Sequence, residues 1–185
     1  EGFRGEVARL ARYLRSACEA RRMDFPLSML EEVITELVVC FPVYRTYVVN
    51  GEPATGQDRS YIAQAVATVR GNPWNFEPAL LDVVDKLLCG DSPETPDADD
   101  FIARFQQLTS PVMAKGVEDT ALYCYDRLVS LNEVGGDPTR FGITPDVFHM
   151  ENTRTHARWP MRMITTSTHD TKRSEDVRAR IAVLS

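Results

Sequence analysis

No apolar run in the 185 residues approaches the roughly 18 needed for a membrane-spanning helix. The opening stretch, EGFRGEVARLARYL, reads as an amphipathic helix instead of a signal peptide. There is no excess of positive charge either. Against 27 Asp and Glu stand 21 Lys and Arg, a formal net charge of −6. The basic residues are scattered or set beside acids, so neither nucleic acid nor a membrane surface is expected as a partner. Cysteine is sparse: Cys18, Cys40, Cys89 and Cys124 lie far apart, with no CxxC pair and no His at zinc spacing. That pattern fits neither a disulfide framework nor a metal site, so buried reduced thiols and a cytoplasmic location are expected. His149 and His156 have no third ligand nearby and read as surface or packing residues. No initiator Met is present, and the final RARIAVLS stops partway through a helical pattern. The chain reads as a piece of something longer.

What the sequence does have is helical periodicity. At 43% hydrophobic and 26% charged it can bury one ordinary core. Val7, Leu10, Ala11, Leu14 and Cys18 predict a helix over about 5–21. Ser28 with Glu31 reads as a capping box opening a second, carried by Leu30, Val33, Ile34, Leu37 and Val38. The period then changes. VVCFPVYRTYVV is β-branched and aromatic, contains Pro42 and ends in Asn50-Gly51, which predicts a strand over about 43–49 entered at Pro42. Helices resume at Ile62–Val69 and at Leu80–Leu88, the latter stopped by Gly90. After the polar loop GDSPETPDADD comes a helix on Phe101, Ile102, Phe105 and Leu108. Ser110-Pro111 reads as the start of a separate long helix closed by Gly135 and Gly136, and Thr144-Pro145 as another start. Residues 161–166 read as a second short strand, followed by a last helix capped by Ser174. The fold class expected is therefore mainly α, about eight amphipathic helices with two short strands.

One short turn stands apart. TTSTHDTKRSED holds His169, Asp170, Lys172 and Arg173 within five residues, with nothing apolar between them to bury. It follows a predicted strand and precedes a helix, a place where barrels and open α/β sheets put chemistry. From spacing alone two readings stand. In one, Asp170 or Thr171 helps to cap the helix while Lys172 and Arg173 are solvated. In the other, an ionised Asp170 accepts from sugar hydroxyls and steadies an oxocarbenium-like centre, with His169 donating to the same sugar.

Four stretches in register, FPVYRTYV (41–48), SPVMAKGVEDTALY (110–123), RLVSLNEVGGDP (127–138) and TSTHDTKRSEDVRARIAVLS (166–185), resemble the maltooligosyltrehalose synthase family of the α-amylase superfamily. The resemblance covers essentially the whole chain. It implies a retaining (β/α)8-barrel enzyme that needs no metal or organic cofactor and acts on a maltooligosaccharide. By that resemblance His169 and Asp170 match the His-Asp at the end of the seventh barrel strand, Asp170 being the third catalytic carboxylate. Lys172 and Arg173 would face substrate, and Lys115, Glu118 and Asp119 of KGVEDT would lie near the acceptor sugar, where solvated helix charges are the plain alternative. Arg45 and Tyr47 would either reach the barrel mouth or pack in the core. The division implied is 1–57, barrel-derived helices and a strand; 58–157, a helical insertion; and 158–185, a barrel strand, the His-Asp turn and the start of the next helix. Cys124, Met161 and Arg162 depart from the family pattern, which puts their local contacts in doubt.

Retaining glycoside chemistry needs a nucleophilic carboxylate and an acid about 5 to 5.5 Å apart. In the superfamily these lie ahead of the first residue here, and no segment of the chain looks like either. The chain alone is expected to be inactive, with the remainder of the barrel as its partner. Two rivals remain at this point: another α-amylase-superfamily glycosidase or transglycosylase, and a free-standing helical interaction module.

Overall fold

A computed structural model of the chain describes residues 2–49, 51–73, 75–91, 96–125, 131–137 and 139–184. It divides into two compact units, Glu1–Lys115 and Gly116–Ser185.

The first unit is five helices around one apolar core: α1 (Arg4–Glu19), α2 (Leu27–Val39), α3 (Gly56–Arg70), α4 (Pro78–Leu88) and α5 (Pro96–Met113). The stripes read from the sequence are the buried faces. Leu10, Leu14 and Cys18 of α1 meet Leu30, Ile34 and Leu37 of α2, while Ile62, Leu80, Leu81 and Leu87 extend the same core. Phe101 and Phe105 stack at 6.1 Å, and Phe41 meets Phe105 edge-on at 5.4 Å. Helix α4 ends where predicted: Gly90 takes φ +72°, and a Cβ there would lie 3.3 Å from the Glu52 carbonyl oxygen. Helix α3 opens with a reciprocal cap in which Thr55 Oγ1 accepts from the Asp58 amide and donates to Asp58 Oδ2.

Three expectations are corrected. The strands are the first: no strand occurs among the described residues. Strand-like alternation is confined to 46–49, with Thr46 and Val48 buried and Tyr47 and Val49 exposed; Tyr44, which shares the parity of Thr46, is exposed, and Phe41, of the opposite parity, is buried. What is absent is a second strand. The backbone groups a ladder would satisfy go to side chains: Val48 N–H donates to Gln106 Oε1 at 2.8 Å, Gln106 Nε2 donates to the Val48 carbonyl at 3.1 Å, and Tyr47 N–H donates to Asp58 Oδ1. The buried Gln106 amide thus imitates one rung of a neighbouring strand. Residues 161–166 are exposed throughout, Met163 at 96%, and the Thr166 carbonyl accepts from the Arg178 side chain. The mixed class with two strands therefore gives way to helices and extended segments.

Second, Ser28 makes no capping box. Helix α2 begins at Leu27, with Pro26 at the N-cap and no side-chain cap, which leaves Ser28 inside the first turn. Third, Pro111 does not open a helix but lies inside α5. The buried face of Phe105, Leu108 and Thr109 carries the helix past it, and a proline there removes one i→i−4 bond and crowds the preceding turn. The chain then widens into a π-helical segment, π1 (Ala114–Ala121), and a short α6 (Leu122–Cys124).

Most of π1 and α6 belong to the second unit, with α7 (Pro145–Arg158) and α8 (Glu175–Ala182). Thr144 caps α7 with Pro145 in its first turn, as predicted, whereas Ser174 sits at the N-cap of α8 without a side-chain bond. Neither α7 nor α8 buries a residue. Asn50 of the predicted turn, 92–95 of the polar loop, and 126–130 and Pro138 of the long predicted helix and its motif lie outside the described residues.

Candidate functional site

Two of the sequence-predicted residues of the second unit, Asp119 and Asp170, meet at the ammonium group of a third, Lys172. The backbone turn at 168–171 is closed by Thr168, whose carbonyl accepts from the Thr171 hydroxyl at 2.8 Å and whose Oγ1 accepts from the Asp170 amide at 3.3 Å. This turn carries His169 and Asp170 into solvent, with the Asp170 side chain 56% exposed. Lys172 folds the other way. Its side chain is only 7% exposed, and its Nζ lies 2.8 Å from Asp119 Oδ1, 3.7 Å from Asp170 Oδ1 and 5.8 Å from the centre of the Tyr123 ring. The hydrogen bond that the Lys172 ammonium donates to Asp119, aided by the charges of Asp119 and Asp170, pushes Lys172 above its ordinary pKa. One lysine therefore ties the HDTK turn to the KGVEDT segment, 53 residues away.

Within π1, Lys115 and Asp119 are exposed whereas Glu118 is buried. Lys115 falls in the first unit and the other two in the second. Wide π turns recur at functional sites because they re-aim side chains relative to a regular helix. Arg173 reaches the Asn132 carbonyl at 3.5 Å. In the first unit, the Arg45 guanidinium lies 4.6 Å from the centre of the Tyr47 ring, and Tyr47 is exposed, outside the core.

Two residues that spacing had not singled out complete the arrangement. Asn132 is buried, and its Nδ2 donates to the Leu122 carbonyl at 3.2 Å and to that of Tyr125, closing the end of α6. Glu133 Oε1 accepts from the amides of Val134 and Lys172 at 2.9 and 3.0 Å, and Oε2 lies 3.5 Å from Arg178 Nε. Both residues lie in the LNEVGG motif, but nothing in a linear reading links position 133 to position 172. Among the described residues, no group of three His, Cys, Asp or Glu side chains is placed to hold a metal ion, and no helix is long and apolar enough to cross a membrane. Chemically the arrangement is an exposed carboxylate and imidazole backed by a cation that is itself fixed by a second carboxylate. It suits hydrogen bonding to a polyhydroxyl ligand and electrostatic support of positive charge.

No protein-family model matches the chain. Two curated proteins of Mycobacterium tuberculosis, strains H37Rv and CDC 1551, carry the provisional name maltooligosyl trehalose synthase. They are 61% identical over 83 residues, 44% of this chain and 11% of their own length. The solved maltooligosyltrehalose synthase of Arthrobacter ramosus superposes with a TM-score of 0.76 at 38% identity, over 97% of this chain and 21% of that one. A structure described as DSM5389 glycosyltrehalose synthase gives 0.57 at 30% identity, over 98% and 19%. The chain thus spans about a fifth of the length of the solved proteins it matches.

Proposed function

The chain resembles maltooligosyltrehalose synthases along nearly its whole length, and from that premise we propose that it is part of an intramolecular transglucosylase. The complete protein converts the reducing-end α-1,4 linkage of a maltooligosaccharide to α,α-1,1, an isomerisation that serves trehalose formation. It follows the retaining chemistry of the α-amylase superfamily and works in the cytoplasm. Asp170 is the carboxylate that stabilises the oxocarbenium-like transition state, neither nucleophile nor general acid. His169 donates to the same glucose. Arg173, Lys115, Glu118 and Asp119 serve substrate, and Lys172 does so by holding Asp119 and Asp170 together.

The observation that carries this reading is the Asp119–Lys172–Asp170 chain. It joins two motifs of the resemblance, and it leaves Asp170 open to a ligand while its cationic neighbour is tied back. The 185-residue chain by itself has no activity, because steadying a transition state accelerates nothing without the groups that form the covalent intermediate. The test is an assay on maltopentaose. The complete protein should consume reducing ends without releasing glucose stoichiometrically, while the purified chain should leave them untouched. Free sugar as the main product would point to a hydrolase, and product from the isolated chain would refute the division of labour.

A further inference from the structure

The loop that carries His169 and Asp170 is gripped on both flanks by one carboxylate–guanidinium pair. On the C-terminal side, Glu133 Oε1 accepts from the Lys172 amide at 3.0 Å. On the N-terminal side, Arg178 donates to the Thr166 carbonyl at 2.9 Å, and its Nε lies 3.5 Å from Glu133 Oε2. Glu133 is largely enclosed, 13% exposed, and a further bond from the Val134 amide fixes its own orientation. The adjacent Asn132 is tied to the end of α6 through the Leu122 and Tyr125 carbonyls. Residues 132–134 thus connect π1–α6 to the loop through two successive side chains. Such supporting contacts hold a reactive group within tolerance of its productive geometry.

We propose that Glu133, acting with Arg178, is a positioning residue that sets the conformation of the 166–172 loop and so the placement of Asp170. The catalytic half of this inference rests on the function proposed above; the grip on the loop does not.

Two readouts keep them apart. On this chain, hydrogen exchange of the Lys172 amide should quicken about tenfold in Glu133→Ala, as expected for one lost charge-assisted bond. Amides within α1 to α5 should keep their wild-type rates. In the complete protein, Glu133→Ala should lower kcat roughly 10²-fold with KM nearly unchanged, since misplacement by an ångström costs about that much. Glu133→Gln, which keeps an oxygen to accept from the Lys172 amide, should recover most of kcat and also serves if the alanine variant folds poorly. A residue needed only for stability would reduce the folded fraction without this kcat split or the glutamine rescue. An unchanged Lys172 amide overturns the grip. A quickened amide with unchanged kcat per folded molecule overturns the positioning role. A wild-type protein that leaves reducing ends intact overturns the functional reading, and the amide result then decides the grip alone.

Discussion

Burial sorts the thiols into two kinds. Cys18 and Cys89 are buried and Cys124 is exposed, with Cys40 between them. Desolvation pushes the Cys18 and Cys89 thiols up to about 11 from an ordinary value of 9.0. A thiol raised in the fold loses its proton later than the same thiol in the unfolded chain. Its contribution to stability is therefore complete below about pH 9 and is lost as pH rises toward 11. Denaturant midpoints measured across that interval should fall with pH and fall less in a Cys18→Ala, Cys89→Ala variant. At neutral pH, iodoacetamide followed by mass spectrometry should label Cys124 well before Cys18 or Cys89. Gln106 is the other residue on which much turns. Gln106→Leu keeps the volume but leaves the Val48 N–H and carbonyl without their partners, and should cost about 1–3 kcal/mol in chemical denaturation.

Among the elements, those whose stability comes from a one-sided apolar stripe were legible in the sequence. Helices α1, α2 and α4 bury the residues that the 3.6-residue period marks, and Gly90 and Thr144-Pro145 set boundaries through local backbone chemistry alone. Illegible features depend on partners distant in the chain. Residues 46–49 have the alternation of a strand, yet a strand is defined by its neighbour, and here the neighbour is the side chain of Gln106, 58 positions on from Val48. Pro111 followed by a π segment is opaque for a related reason: tertiary burial of Phe105 and Leu108 outweighs the local preference of proline for a helix start. At the site, the acids and cations of 169–173 could be picked out by composition, whereas the Glu133 and Asn132 contacts could not. The cap on α3 permits a direct check. Thr55→Ala should destabilise the first unit by about 1 kcal/mol, since it frees the Asp58 amide and loosens the carboxylate that receives Tyr47 N–H.

At the scale of the molecule the two units are held by different forces. The first has a continuous apolar core, and Phe105→Ala there should cost about 3–5 kcal/mol. Among the described residues of the second, only Glu118, Leu122 and Asn132 are buried, and Phe141, Trp159, Met161, Met163, Ile164, Val183 and Leu184 face solvent. Limited proteolysis should therefore cut within 116–185 before it cuts within 1–115, and removing the second unit should reduce binding of a hydrophobic dye. Polar contacts carry much of the order in the second unit, and the same contacts frame Asp170.

The most direct measurement is the rate at which the complete protein consumes the reducing ends of maltopentaose, compared between wild type and Asp170→Asn at equal folded concentration. A loss of roughly 10²- to 10³-fold, with the fold intact by circular dichroism, is the expected result for a carboxylate that stabilises transition-state charge. A variant that keeps the wild-type rate would contradict it.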